Sequence, residues 1–208
     1  MNKSRVGTSP ILEGARYGTR GRERSFVWSH LLLRLVWGAT WLLLAAWTPP
    51  QLYSWRRLLL NLFGAKLAKG ARVYGSARIW YPPNLEMGKG AVLGWQSYAY
   101  TQEKIVIEDY AVVSQFARLI TGTHDIDDEN FQLYARPICI KSHAWIAAAA
   151  FVGPGVTVGE GAVLGGAAVT FKDLEPWTVY VGNPAKSLKT RRNFADATIG
   201  QPNGSVGL

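Results

Sequence analysis

Residues 138–172 read ICIKSHAWIAAAAFVGPGVTVGEGAVLGGAAVTFK, and they repeat every six positions. Aliphatic residues recur at Ile140, Ile146, Val152, Val158 and Leu164, and shorter side chains follow four places later at Ala144, Ala150, Val156, Ala162 and Ala168. Glycines fill the turns at Gly153, Gly155, Gly159, Gly161, Gly165 and Gly166. A period of six fits neither the 3.6-residue turn of an α-helix nor the plain alternation of a strand. It predicts a hexapeptide solenoid, in which short flat strands stack into a parallel β-helix. Each aliphatic side chain points inward and stacks on its counterpart one coil away, roughly 4.8 Å along the axis.

The register continues upstream in three further phases: Leu67, Val73 and Ile79; Met87 and Leu93; Ile107, Val113 and Leu119. The steps between phases are eight residues (79 to 87), fourteen (93 to 107) and twenty-one (119 to 140). None is a multiple of six, so each marks an insertion. The largest, Gly122 to Pro137, is too polar for a buried strand and reads as a loop thrown out from the coil.

The 208 residues leave room for one principal domain with appendages. Residues 1–26 are basic and rich in Gly, Ser and Arg, without the apolar stretch of a signal peptide, and read as a flexible tail. Residues 193–208 read likewise. Residues 27–66 are hydrophobic and rich in tryptophan (Trp28, Trp37, Trp41, Trp47, Trp55), and predict two helices, Leu31 to Trp47 and Leu52 to Phe63, separated by Pro49-Pro50. The first is about 25 Å long, short of the roughly 30 Å hydrocarbon core. Tryptophans beside Arg34, Arg56 and Arg57 suit a helix lying in a membrane interface; packing across the base of the solenoid or between subunits is the alternative, and a membrane-spanning helix a third reading. The solenoid itself spans residues 67–175, followed by a basic arm at 176–192. One cysteine, Cys139, gives no disulfide framework, which suits a reducing, cytoplasmic compartment. The net charge of +9 comes without a recognition helix or an aromatic-plus-basic platform, so nucleic acid is a poor partner. Anionic lipid fits the N-terminal charges, and a phosphate-bearing cofactor those at Lys186 and Lys189.

Three histidines could carry proton chemistry. His30 lies in the apolar helix as an interfacial or capping group, and His143 lies in an outward-facing corner. His124 sits where a coil ends and the large loop begins, so the coil can hold it while the loop covers a bound substrate. Its side chain is suited to take a proton from a hydroxyl or an amine.

From about Trp55 to Arg192 the chain resembles the hexapeptide-repeat acetyltransferases, most closely the colanic acid and exopolysaccharide O-acetyltransferases. The shared text includes Ala77-Arg78-Ile79-Trp80-Tyr81-Pro82, Thr121-Gly122-Thr123-His124-Asp125, Phe151-Val152-Gly153-Pro154-Gly155-Val156 and Val181-Gly182-Asn183-Pro184-Ala185-Lys186. The resemblance implies a left-handed parallel β-helix assembled as a homotrimer, with active sites at subunit interfaces. His124 would be the general base that deprotonates a saccharide hydroxyl as it attacks the thioester of acetyl-CoA, without a covalent acyl-enzyme. Ala147, Ala148, Gly165 and Gly166 match the small residues along the CoA arm. Lys172, Lys186 and Lys189 match residues near its phosphates, and Trp145 an aromatic near the site. Asp125 follows the base and would either orient His124, touch substrate or cap the loop. Many relatives carry an asparagine near Thr101, so Thr101 or Gln102 would substitute for it at the acceptor.

The expectation is an acetyl-CoA-dependent O-acetyltransferase of exopolysaccharide or capsule assembly, on the cytoplasmic side and in contact with the inner membrane face through residues 28–63, with no metal. Transfer to an amino-sugar amine, and a non-catalytic trimeric scaffold, are the alternatives. A γ-type carbonic anhydrase would need three zinc-binding histidines, and the solenoid contains only His124 and His143.

Overall fold

The computed structural model describes residues 28–129 and 131–193. The expected tail at 1–26, and all of the 193–208 segment except Asn193, lie outside the described residues. Two helices, α1 (Trp28–Leu44) and α2 (Tyr53–Leu62), precede a parallel β-solenoid with three faces. The first face stacks Lys66–Leu67, Leu85–Met87, Ile105–Ile107, Ile138–Ile140 and Thr157–Val158. The second stacks Arg72–Val73, Val92–Leu93, Val112–Val113, Trp145–Ile146, Val163–Leu164 and Thr178–Val181, with the antiparallel Lys186–Thr190 on its edge. The third stacks Arg78–Ile79, Tyr98–Tyr100, Arg118–Ile120, Phe151–Val152 and Val169–Thr170.

Every anchor predicted from the six-residue pattern is buried, from Leu67 to Leu164. The sequence pattern missed the third-face anchors Ala99 and Thr170, the latter paired with Val152 and buried. Ala99 pairs between Ile79 and Leu119 on the third face and is fully buried. The fourteen-residue step from Leu93 to Ile107 is therefore a regular six followed by eight. All three irregular steps (79 to 87, 99 to 107 and 119 to 140) consequently fall at one corner, between the third face and the next coil's first face. The other two corners keep the spacing of six throughout.

A β-solenoid ends in three strands whose outer edges would expose unpaired backbone groups. Here the helices cover that end, one side chain per face. Asn61 accepts from the Leu67 backbone N–H (2.9 Å) and donates to its carbonyl (3.3 Å) on the first face. Arg56 Nε donates to the Val73 carbonyl on the second (2.6 Å), and Trp37 Nε1 to the Ile79 carbonyl on the third (2.8 Å). Arg56 is wholly buried and also bonds the Thr48, Pro49 and Pro50 carbonyls, which end the helix connection. This corrects the expectation of Arg56 as a charge at a membrane surface: its guanidinium is consumed inside the protein. The helical segment thus packs across the base of the solenoid, while its outer face leaves Trp28, Leu35, Leu43, Trp47 and Leu62 exposed. Among the described residues no helix is long and apolar enough to cross a membrane.

Candidate active site

The corner with the surplus residues is built as a stack. Trp80, Tyr81 and the short 3-10 turn Pro82–Asn84 form its first layer, Tyr100 to Lys104 its second, and the loop after Ile120 its third. Threonines twenty residues apart join the layers. The Thr101 hydroxyl accepts from the Tyr81 N–H (2.8 Å) and donates to the Tyr81 carbonyl (2.9 Å). The Thr121 hydroxyl donates to the Tyr100 carbonyl (2.7 Å) and accepts from the Glu103 N–H (3.0 Å). Both threonines are fully buried. Thr101 is therefore not an acceptor-binding residue: its hydroxyl is spent on Tyr81 and it has no exposed surface. Gln102 is buried as well, donating to the Tyr100 hydroxyl.

On this stack stands a hairpin, Gly122–His124 paired antiparallel with Leu133–Ala135. Leu133 and Ala135 pack on Trp80 and Tyr81, so the hairpin is seated on the first layer. His124 is half-buried. Its ring lies parallel to that of Phe131, with centroids 4.3 Å apart, and Nδ1 is 2.8 Å from the Phe131 carbonyl. A carbonyl can only accept, so this contact requires the proton on Nδ1 and leaves the Nε2 lone pair available. Asp125 does not orient the ring. Its carboxylate accepts from the Asp127 N–H (3.1 Å) and caps the loop, while its own N–H donates to the Gln132 carbonyl (2.8 Å).

The N-terminal helix reaches the same stack. His30 is buried against Trp80 and Tyr81 (4.9 and 4.5 Å between centroids), rather than interfacial or capping as its sequence position suggested. Burial, with the Arg34 charge adding to it, pushes the His30 pKa down to about 4, so its imidazole is neutral near pH 7. His143 is exposed as expected, its ring stacked on Tyr110.

The other predicted residues divide between two further places. Ala147 and Ala148 form the turn after the second face, and Gly165 and Gly166 the turn directly below it, where the Ala167 N–H donates to the Ala148 carbonyl. Packing explains only one of the glycines. A Cβ on Gly165 would press on the Tyr180 carbonyl and the Val181 side chain at 3.0 Å. On Gly166 it would meet only the Ala148 carbonyl, at an ordinary 3.6 Å. Ala148 and Gly166 thus leave an open ledge that the fold does not demand. Trp145 precedes this ledge on the second face, 44% exposed, with Nε1 donating to Ser114. Lys186 and Lys189 are exposed on the edge strand of that face. Lys172 stands exposed at the surplus-residue corner, in the fifth coil. Arg191, in the same basic arm, is held by the His143 and Gly161 carbonyls and fastens the arm to the first corner. Within one chain, therefore, His124 and the ledge lie on different corners, with the third face between them.

No protein-family model matches the chain. Over 156 residues it is 40% identical to the Escherichia coli (strain K12) protein named "Putative colanic acid biosynthesis acetyltransferase WcaF", spanning 75% of this chain and 86% of that one. The chain belongs to the hexapeptide-repeat acetyltransferases. Among solved structures, the maltose O-acetyltransferase from Clostridium difficile 630 is 25% identical with a TM-score of 0.71, over 80% of this chain and 90% of that one. A galactoside acetyltransferase in complex with coenzyme A, 20% identical, shares the fold with a TM-score of 0.75 over 90% and 94% of the two chains. In this acetyltransferase the described residues contain no group of three His, Cys, Asp or Glu side chains that could hold a metal ion.

Proposed function

We propose that this acetyltransferase moves an acetyl group from acetyl-CoA to a saccharide hydroxyl in exopolysaccharide assembly, with His124 as general base. The observation that supports the reading is the His124 to Phe131 contact, which places a proton on Nδ1 and leaves the neutral ring's lone pair on Nε2, as a general base needs. Nε2 takes the acceptor proton as the oxygen attacks the thioester carbonyl. The C–S bond then breaks, and the proton passes from His124 to the departing thiolate. Cys139 takes no part: it is partly buried on the first face, and burial pushes its thiol up, away from the reactive thiolate.

The open ledge at Ala148 and Gly166 fits a thioester carrier's slender arm, with Ala147 and Gly165 shaping the turns beneath it. Lys172, Lys186 and Lys189 supply ammonium groups for its phosphates. Because the ledge and His124 lie on different corners, a complete site needs His124 from one protomer beside the ledge of another, which supports a homotrimer. Trp145, beside the ledge, would contact the bound substrates, and Asp125 would act on the loop rather than on the sugar. The exposed Trp28, Leu35, Leu43 and Trp47, preceded in sequence by Lys3, Arg5, Arg16, Arg20, Arg22 and Arg24, suit attachment to an anionic membrane surface on the cytoplasmic side.

Labelled acetyl-CoA offered with a panel of lipid-linked and nucleotide-linked sugars tests the reading. The parent protein should acetylate a subset of them, and His124→Ala should lower turnover by about 10²–10⁴-fold while leaving the oligomer intact. Near-normal turnover by His124→Ala would remove the base from His124. Product stable to mild alkali would indicate an amide, and so an amine acceptor.

A further inference from the structure

Helix α1 leaves a gap between itself and the second coil. Its partners set its direction: Trp37 Nε1 donates to the Ile79 carbonyl and Trp41 Nε1 to the Gly75 carbonyl, so the helix runs antiparallel to the third-face strand Arg78–Ile79. Between α1 and Tyr98 of the next coil lies an open groove of about 620 Å³.

The two ends of the groove differ in chemistry. Toward the His124 corner are Arg34 and Trp80, with Arg78, Tyr98 and Gly38 a step further in; at the far end is Trp41, beside Gly75. Among the described residues, no acidic side chain lines it. The Arg34 guanidinium lies 4.0 Å from the centroid of the Trp80 ring, half-buried, with no carboxylate or hydrogen-bond acceptor among the described residues. Desolvation of this cation is opposed only by ring faces and the nearby Tyr100 and Tyr98 hydroxyls. Arg78, on the adjacent strand, is exposed into the same space.

Gly38 is the second anomaly. It lies in the middle of α1, where glycine costs about 1 kcal/mol relative to alanine. A Cβ there would meet no atom within 4 Å, so packing gives no reason for the missing side chain. Its effect is to keep one wall of the groove open.

We propose that this groove binds a phosphate ester of a single apolar chain, the phosphate between Arg34 and Arg78 and the chain running past Gly38 along Trp41. Stacking on Trp80 occupies the guanidinium face and leaves its N–H edge to donate, the geometry by which arginine holds phosphate. A volume of this size suits one small-molecule-sized occupant, a single chain rather than a two-chain phospholipid. The inference rests on the sugar-transfer reading in one respect: an acceptor carried on such a phosphate would be delivered beside Trp80, on which the His124 hairpin is seated.

Calorimetry on the full-length protein tests it with four probes: farnesyl phosphate, farnesol, inorganic phosphate, and vesicles of phosphatidylglycerol. Farnesyl phosphate should bind, with farnesol and inorganic phosphate each about tenfold weaker or more. Arg78→Gln, at an exposed position, should weaken farnesyl phosphate about tenfold. Gly38→Leu, in open space on a helix, should abolish farnesyl phosphate binding and leave inorganic phosphate unchanged. The proposal fails if farnesyl phosphate does not bind or if neither substitution affects it. It also fails if the vesicles displace farnesyl phosphate in a manner sensitive to both substitutions, which would give the groove to phospholipid. His124→Ala should bind farnesyl phosphate like the parent, so failure of the base assignment and failure of this site are separable.

Discussion

The Nδ1 atom of His124 and the carbonyl oxygen of Phe131 are 2.8 Å apart across the mouth of one hairpin loop, and the two rings stack. One residue thereby fixes both the tautomer and the tilt of the imidazole. Nitrogen-15 NMR of the imidazole at pH 8 should show Nδ1 protonated and Nε2 bare. A dominant Nε2–H tautomer would contradict the base geometry.

Gly122 begins that hairpin, directly over the buried Gln102. A Cβ at position 122 would overlap the Gln102 Oε1 atom. Gly122→Ala should destabilise the protein by about 1–3 kcal/mol and lower acetyl transfer with it. Adding Gln102→Ala should recover much of the transfer rate, because it removes the atom in the way. A double variant no better than Gly122→Ala would show that the clash is not what matters.

Arg56 is a different kind of dependence. Its guanidinium satisfies carbonyls on both the solenoid edge and the helix connection. Arg56→Ala should cost about 3 kcal/mol or more in chemical unfolding, since a buried set of acceptors loses its donor. Arg56→Lys should recover little, as an ammonium cannot fork to the same oxygens. Full stability of the lysine variant would count against this account.

Gly166 offers a test of the ledge that leaves the fold alone. Gly166→Ala adds a Cβ whose one neighbour in this chain is the Ala148 carbonyl at an ordinary 3.6 Å, so the melting temperature should hold. The KM for acetyl-CoA should rise about tenfold, with kcat less affected. An unchanged KM would place the CoA arm elsewhere.

Glu86 gives the acid dependence of stability. Hydrogen bonds from Lys104 (3.0 Å) and Lys66 (3.2 Å) hold its carboxyl below the usual carboxylate range, more than burial raises it. A carboxylate with a lowered folded-state pKa stabilises above the ordinary value of about 4.3, and this is lost as pH falls through the lower folded value. Glu86→Gln should therefore cost up to about 1 kcal/mol at pH 7, the range for a largely solvent-screened pair, and the gap should close in acid. A gap that is the same at pH 7 and pH 3 would rule the ion pairs out as its source.

The six-residue clock was legible because large aliphatics mark it, and it was lost where a small residue serves as the anchor. Ala99 has a face of the solenoid to fill and no bulk by which to announce it. His124 was legible as a site because it breaks the clock, yet its partner Phe131 was not: the contact is made by a backbone carbonyl, which every residue carries. Arg56 and Arg57 look alike in sequence beside a tryptophan, and only the fold sends one of them inward. Thr101 was misread for the related reason that a hydroxyl buried in a corner and one facing a substrate have the same neighbours along the chain. Arg34 and Gly38 drew no attention as a pair, since a groove between a helix and a distant coil has no local signature.

The confinement of every surplus residue to one corner has a consequence for how such a protein can change. Two faces of the coil never see the length of the third connection, because each coil returns to the same register after two extra residues or after fifteen. Segments could be exchanged or extended at that corner without retiming the stack. New acceptor preferences are thus open to this scaffold through insertion and deletion at a single corner, with the stacked strands left in register.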